Sequence, residues 1–237
     1  MWWNCHKAAS LRLGVIQCEP MPRTKVEQPN LFAEPIASEE SGPSSCSPSG
    51  NLPEGFLYFP SLLTQTEQSA LLETIRQLEF RAFDFHGFRA RRRIIEFGFH
   101  YDFDEREATA ADPIPVFLLP ARSKAAQLAD VPAEELAEGI ITEYPPGAPI
   151  GWHRDVPQFE IVIGISLSGA CRMRFKPIKG GKITSITLEP GSGYVMRGPV
   201  RWEYQHSIPP VKELRYSITF RTLRKSRPPQ SRAGNRE

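Results

Sequence analysis

From Ile140 onward the chain is cut into short β-branched or aromatic runs by Pro- and Gly-containing turns, and this punctuation restricts the fold more than any other feature. The runs are GIITEY, FEIVIGISLS, CRMRFKP, KITSITLEP, GYVMRG, RWEYQHS and LRYSITFRT. Between them stand Pro145-Pro146-Gly147, Ser168-Gly169, Gly180-Gly181, Pro190-Gly191, Gly198-Pro199 and Pro209-Pro210. Strands at this spacing predict an antiparallel sandwich or barrel. Two helices are expected ahead of them. In TQTEQSALLETIRQL (64–78), Thr64 has the place of an N-cap with Glu67 three residues on, a capping-box spacing, and Leu71, Ile75 and Leu78 form an apolar stripe. VFLLPARSKAAQLAD (116–130) reads as a second helix, with Pro120 at a kink or in the first turn. FGFHYDFDERE (97–107) reads as a strand running into a loop. The domain is therefore expected to be mainly β, a sandwich buttressed by N-terminal helices.

Residues 1–51 have a different texture. EPIASEESGPSSCSPSGN (34–51) is rich in Ser, Pro, Gly and Glu, and cannot bury enough apolar surface to offset its ordering entropy. A disordered extension over 1–51 and a basic disordered tail over 225–237 are expected around one domain, and Met21 offers an alternative start to Met1. Lys and Arg number 29 against 27 Asp and Glu, so the chain is no polycation and affinity for nucleic acid has to come from local patches. Cys5, Cys18, Cys46 and Cys171 show no C-x-x-C spacing, which argues against a zinc knuckle or a disulfide framework and fits a reducing cytoplasm. No apolar run approaches the ~18 residues of a membrane span. AASLRLGVIQCEP is a poor signal peptide, because Arg and Gln interrupt it. The expectation is a cytoplasmic monomer with no membrane attachment.

Chemistry concentrates in the strand region. In LRYSITFR, period-two alternation puts Leu214, Tyr216, Ile218 and Phe220 on one face and Arg215, Ser217, Thr219 and Arg221 on the other. The polar face is either solvated or a wall inside the barrel, where a buried Arg fork needs an acidic partner. PGAPIGWHRD carries His153 and Asp155 two apart at the head of a β-run, and His206 follows some fifty residues later. Two His and one carboxylate on one face leave metal positions open, the facial triad of non-haem Fe(II) oxygenases. A second H-x-D, His100-Tyr101-Asp102, competes with the first.

EYPPGAPIGWHRD, HSIPPV and RYSITFR together resemble the AlkB family of Fe(II)/2-oxoglutarate dioxygenases, over roughly residues 52–224. The resemblance implies a double-stranded β-helix, a jelly-roll relative, with a substrate lid near the N-terminal side. It implies that His153, Asp155 and His206 bind Fe(II) and carry the catalysis. It implies that Arg215 pairs with the distal carboxylate of 2-oxoglutarate, and that Tyr144, Ser217 and Arg221 belong to the same co-substrate site, with Arg221 toward its iron-proximal end. O₂ is the further co-substrate. His100 and Asp102 fall where the family has its lid, so they rank as the decoy pair. Lid aromatics, here Phe99, Tyr101 and Phe103, would cover or stack on the substrate. The activity implied is oxidative demethylation of N-alkylated bases in DNA, or RNA, with release of formaldehyde and succinate. A target in single strands or flipped from the stack is expected.

This chain departs from the family at three positions. Thr142 stands where members often carry Asn, and Ser217 where many have Asn between the two Arg. Pro157 stands where repair members commonly have an acidic residue that contacts the flipped base, which puts the substrate in doubt rather than the iron. FHGFRARRRIIEF gathers Arg89, Arg91, Arg92 and Arg93, either a solvated face or, with Arg91 and Arg92 at the lid, a rim for a phosphate backbone. Other readings stay open: the same oxygenase chemistry on a protein or small molecule, a non-catalytic nucleic-acid-binding module built on the Arg clusters, or a zinc hydrolase using the same triad.

Overall fold

The structure, a computed structural model, describes residues 52–85, 88–102 and 107–225; the side chains of 82–89 and 100–109 are not described. The expected extension over 1–51 and all but Lys225 of the expected tail lie outside the described residues. Among those that are described, the strands are β1 Phe56–Phe59, β2 Arg81–Phe85, β3 Phe88–Phe97, β4 Phe99–Asp102, β5 Glu107–Ala110, β6 Leu136–Tyr144, β7 Ile150–His153, β8 Phe159–Ser168, β9 Cys171–Pro177, β10 Thr184–Leu188, β11 Gly193–Met196, β12 Tyr204–Ile208 and β13 Arg215–Leu223. The α-helices are α1 Gln65–Ile75, α2 Leu119–Ala129 and a single turn, α3, Pro199–Trp202.

Two antiparallel sheets face each other as in a jelly roll. The larger has seven strands in the order β1-β11-β8-β13-β6-β3-β2, and the smaller has four, β10-β9-β12-β7. Strands β4 and β5 pair with each other alone. The non-sequential strand order explains why β13, last in the chain, is central: it hydrogen-bonds β6 on one side and β8 on the other. A strand buried on both faces needs apolar side chains on the helix side and paired polar or small ones on the other, and β13 and β8 supply both. Ile163, Ile165, Ile218 and Phe220 share a core with Ile75 of α1, Ala125 and Ala126 of α2, and Leu118 just ahead of α2. Between the sheets a second core gathers Val162, Met173, Phe175, Leu188 and Met196.

The capping box at Thr64 forms as expected: the Thr64 hydroxyl accepts from the Glu67 backbone N–H, and Glu67 reaches back to the Thr64 backbone N–H at 2.9 Å. Pro120 falls in the first turn of α2, where no intrahelical donor is lost. Four expectations need correction. The helices are accompanied by strands β1 to β3, which complete the large sheet. The registers of β1 and β3 come from pairing with distant β11 and β6, which local sequence does not contain, and β2 pairs only with β3. Gly98 interrupts 97–107 at φ +81, so the expected single strand becomes β3 and β4, and a side chain there would meet the Ala137 carbonyl. RWEYQHS begins as the helical turn α3, entered through Gly198 and Pro199, and becomes a strand only at Tyr204. Leu214 is 38% exposed and precedes β13 rather than sharing its apolar face.

Ile218 is fully buried in the helix-side core. Ile218→Ala is expected to cost roughly 2–5 kcal/mol of unfolding free energy in a denaturant titration, against about 1 kcal/mol for loss of the helix cap in Thr64→Ala. Equal losses for the two would contradict the packing described.

Candidate active site and metal centre

Strand register builds the site row by row on the inner face of the large sheet. Arg215 lies opposite Tyr144, Ser217 opposite Thr142 and Ser166, Thr219 opposite Ile140 and Gly164, and Arg221 opposite Glu138 and Val162. The polar face of β13 is therefore a wall inside the sandwich, not a solvated surface: Arg215 is 1% exposed and Ser217 is buried. From the small sheet, β7 and β12 pair His153 directly with His206. Asp155 follows β7 on the loop into β8. These walls enclose a cavity of about 470 Å³ that reaches from Tyr144 and Thr142 to His153, Asp155 and His206.

One metal-binding atom from each of His153, Asp155 and His206 lies within 4.8 Å of the others, and among the described residues no other such cluster occurs. The two imidazole rings are 4.2 Å apart, and His206 Nε2 is 3.6 Å from Asp155 Oδ2. His153 Nδ1 is 2.9 Å from the Gly151 carbonyl oxygen, which fixes Nδ1 as the donor and leaves Nε2 as a lone-pair ligand. Burial lowers the pKa of both rings, and that of His206, also beside His153, falls to about 3. Both are neutral at physiological pH, as metal ligation requires.

Asp155 is held ionised. Burial would raise its pKa, yet Arg221, His206 and Arg201 together hold it well below the usual carboxylate range. Arg221 Nη2 donates to Asp155 Oδ1 at 3.0 Å, and Arg201 Nη1 approaches Oδ2 at 3.6 Å. Arg201 also donates to the carbonyls of Val156, Phe159 and Glu160, so one buried guanidinium ties down the loop after Asp155. On its other side Arg221 meets the buried Glu138 at 3.0 Å. Burial pushes the Glu138 carboxyl up to about 7 against the pull of Arg221. Sequence reasoning passed over Glu138 and Arg201. Glu138 becomes legible only once β6 and β13 are set in register. Arg201 became hidden when its segment was read as a strand.

The sequence-predicted residues divide. His153, Asp155 and His206 come together; Tyr144 and Arg221 line the same cavity, and Arg92 does so from β3. Arg215 and Ser217 lie beyond the cavity wall, with the Arg215 guanidinium 4.9 Å over the Tyr144 ring. Arg91 does not line the cavity: it is exposed and donates to the Gly147 carbonyl at 3.4 Å. The arginine cluster splits because neighbours on a strand face opposite ways. Arg92 faces in, whereas Arg93 on the other face forms a bidentate pair with Glu143 at 2.8 and 3.0 Å. Phe99 is half-buried on β4 and is not part of the cavity wall. The side chains of His100, Tyr101 and Asp102, the backbone and side chain of Phe103, and the side chain of Arg89 lie outside the described residues.

A family model described as the 2OG-Fe(II) oxygenase superfamily matches residues 55–221. The chain belongs to the 2OG-Fe(II) oxygenase superfamily. Solved oxygenases share the fold of this superfamily member at low identity. The structure of OsALKBH1 is similar with a TM-score of 0.57 at 16% identity, covering 73% of this chain and 99% of that one. A Pseudomonas putida prolyl-4-hydroxylase gives 0.53 at 17%, covering 72% and 93%. A 2OG-Fe(II) family oxidoreductase from Burkholderia pseudomallei gives 0.54 at 15%, covering 72% and 86%. Uncharacterized protein L905 of Acanthamoeba polyphaga mimivirus is 34% identical over 104 residues, 37% of this chain, and the chain spans about half the length of that relative.

The superfamily implies Fe(II), 2-oxoglutarate and O₂, and the residues present fit them. Asp155 Oδ2 is buried with no hydrogen-bond partner, an orphan lone pair aimed among two neutral imidazoles. Arg215 Nε and Nη1 are likewise buried and unpartnered, and its one hydrogen bond is from Nη2 to Ser166 Oγ at 3.3 Å. A buried, unpaired guanidinium is costly unless a ligand carboxylate completes it.

His153→Ala and Asp155→Ala are each expected to abolish stoichiometric binding of Fe(II), or of Mn(II) in its place, measured calorimetrically, while His100→Ala and Asp102→Ala keep it near the parent level. Metal loss in His100→Ala with retention in His153→Ala would reverse the assignment.

Proposed function

We propose that this superfamily member removes methyl groups from N-alkylated bases of DNA or RNA, with His153, Asp155 and His206 as the metal ligands and Arg215 as the anchor of the distal carboxylate of 2-oxoglutarate. One observation supports the oxygenase reading above all: the three-ligand cluster lines the cavity, and just beyond its wall, over the Tyr144 ring, the Arg215 guanidinium keeps two buried nitrogens without a hydrogen-bond partner. A zinc hydrolase has no use for Arg215, and a binding module built on surface arginines has no use for either.

Bound Fe(II) supplies an oxidant, from O₂ and 2-oxoglutarate, that hydroxylates a C–H bond while 2-oxoglutarate becomes succinate and CO₂. The chain's own residues position the reactants. Neutral His153 and His206 and ionised Asp155 donate three lone pairs without needing to lose protons at the working pH. Arg221 and Arg201 keep Asp155 ionised and fix its carboxylate plane. Met173, Met196 and Val162 give part of the wall an apolar surface that limits water near the reacting carbon. A hydroxylated N-methyl group falls apart to formaldehyde and the free base.

The nucleic-acid substrate is supported by the AlkB-like motifs and by Arg92 in the cavity wall. The base has to leave its stack to reach a cavity enclosed between two sheets. A second reading, the same chemistry on a protein or small molecule, is favoured by Pro157, which offers no acidic contact to a base.

Incubated with Fe(II), ascorbate and 2-oxoglutarate, the protein is expected to remove methyl groups from 1-methyladenine or 3-methylcytosine in single-stranded DNA, releasing one formaldehyde per methyl lost. Mass spectrometry of the oligonucleotides reads the result. Activity is expected to drop on duplexes, where flipping costs a few kcal/mol, and with rising salt. Succinate production with no methyl loss from any oligonucleotide would leave the oxygenase and overturn the nucleic-acid substrate.

A further inference from the structure

Among the polar groups that line the cavity, the Tyr194 phenol has so far been given no role. Tyr194 on β11 pairs with Gly164 of β8, and Gly164 pairs with Thr219 of β13. This row lies between the Ser166–Ser217–Thr142 row, next to Arg215, and the Val162–Arg221 row, next to Asp155. The Tyr194 ring does not stay over its own strand. A Cβ added to Gly164 would overlap Tyr194 Cζ, Cε1 and Oη, so the phenol lies flat across the neighbouring strand with its hydroxyl directed toward β13. The Phe56 ring stacks against it at 5.8 Å between centroids and 24° between planes, and holds it there. Tyr194 lines the cavity together with His153, Asp155 and His206. Gly164 has no positive φ, so its missing side chain is explained by the ring rather than by the backbone.

We infer that Tyr194 is a co-substrate-binding residue, its hydroxyl donating a hydrogen bond to 2-oxoglutarate at the end away from Arg215. It supplies a fixed donor in a site where Thr142 and Ser217 replace amides common in AlkB relatives, and Gly164 exists to make room for it. Burial raises the pKa of the phenol, with Asp155 and Tyr144 acting in the same direction, so the group stays a donor throughout the physiological range. The inference rests on the 2-oxoglutarate reading of the site and is independent of whether the substrate is a nucleic acid.

The test is calorimetric titration of 2-oxoglutarate into the Mn(II)-loaded full chain. Tyr194→Phe keeps the ring and its stacking and removes only the hydroxyl. It is expected to weaken 2-oxoglutarate binding about ten-fold, the scale of a lost hydrogen bond to a charged group, with Mn(II) affinity and thermal midpoint near the parent values. Gly164→Ala, which displaces the ring, is expected to lose at least as much. Arg215→Ala serves as reference and is expected to lose more, with incomplete rescue in Arg215→Lys because an ammonium cannot form the fork. Unchanged 2-oxoglutarate affinity in Tyr194→Phe, with the Arg215→Ala loss intact, would overturn the inference alone and leave Tyr194 a packing residue. Unchanged affinity in both variants would overturn the co-substrate site together with it.

Discussion

A carboxylate buried between two sheets needs cations and dipoles around it, and the structure is arranged to bring them to Asp155. The Arg221 guanidinium comes from the last strand, that of Arg201 from the turn before β12, and the neutral His206 imidazole from β12 itself. No two of these are neighbours in sequence. Their meeting depends on β13 running between β6 and β8, which in turn requires the jelly-roll strand order. Removing one member of such a cluster leaves the others as uncompensated buried charges, which is why the interaction is so demanding of the fold. Glu138 balances Arg221 from the far side, so the cluster ends in a carboxyl whose own burial favours the neutral form.

The same geometry explains what the sequence showed and what it hid. Alternation along β13 was legible, and so were the H-x-D and the later His, because period two and close spacing are local properties. Whether the polar face of β13 looked inward was not local. It followed from the smaller sheet closing over it, and the closure made Arg215 a buried group instead of a surface one. Strands β1 and β3 escaped notice because their partners β11 and β6 are distant in the chain, and β2 joins the sheet only through β3. The arginines of β3 were read as one basic cluster, but a strand cannot present successive side chains on one face. Arg92 enters the cavity while Arg93 is consumed by Glu143. Tyr194 was invisible as a functional residue because its reach over Gly164 exists only in the sheet.

Opposite ends of the cavity have opposite chemistry. At one end two neutral imidazoles and an ionised carboxylate leave lone pairs pointing at a common point. Past the other, behind the Tyr144 ring, the Arg215 guanidinium retains two unpartnered nitrogens. Unmet hydrogen-bonding capacity of both signs, on facing sheets, suits one ligand that bridges a cation and a cationic side chain. A dicarboxylic 2-oxo acid has that form. The substrate end is less constrained: Arg92 favours an anionic neighbour, and Pro157 removes the acidic contact that repair relatives commonly offer to a base.

The most direct test is a crystal structure of the protein grown anaerobically with Mn(II) and 2-oxoglutarate. The account predicts a metal bonded to His153, Asp155 and His206, with the distal carboxylate of the co-substrate on the Arg215 guanidinium. A metal held at His100 and Asp102, or a co-substrate whose distal carboxylate avoids Arg215, would contradict it.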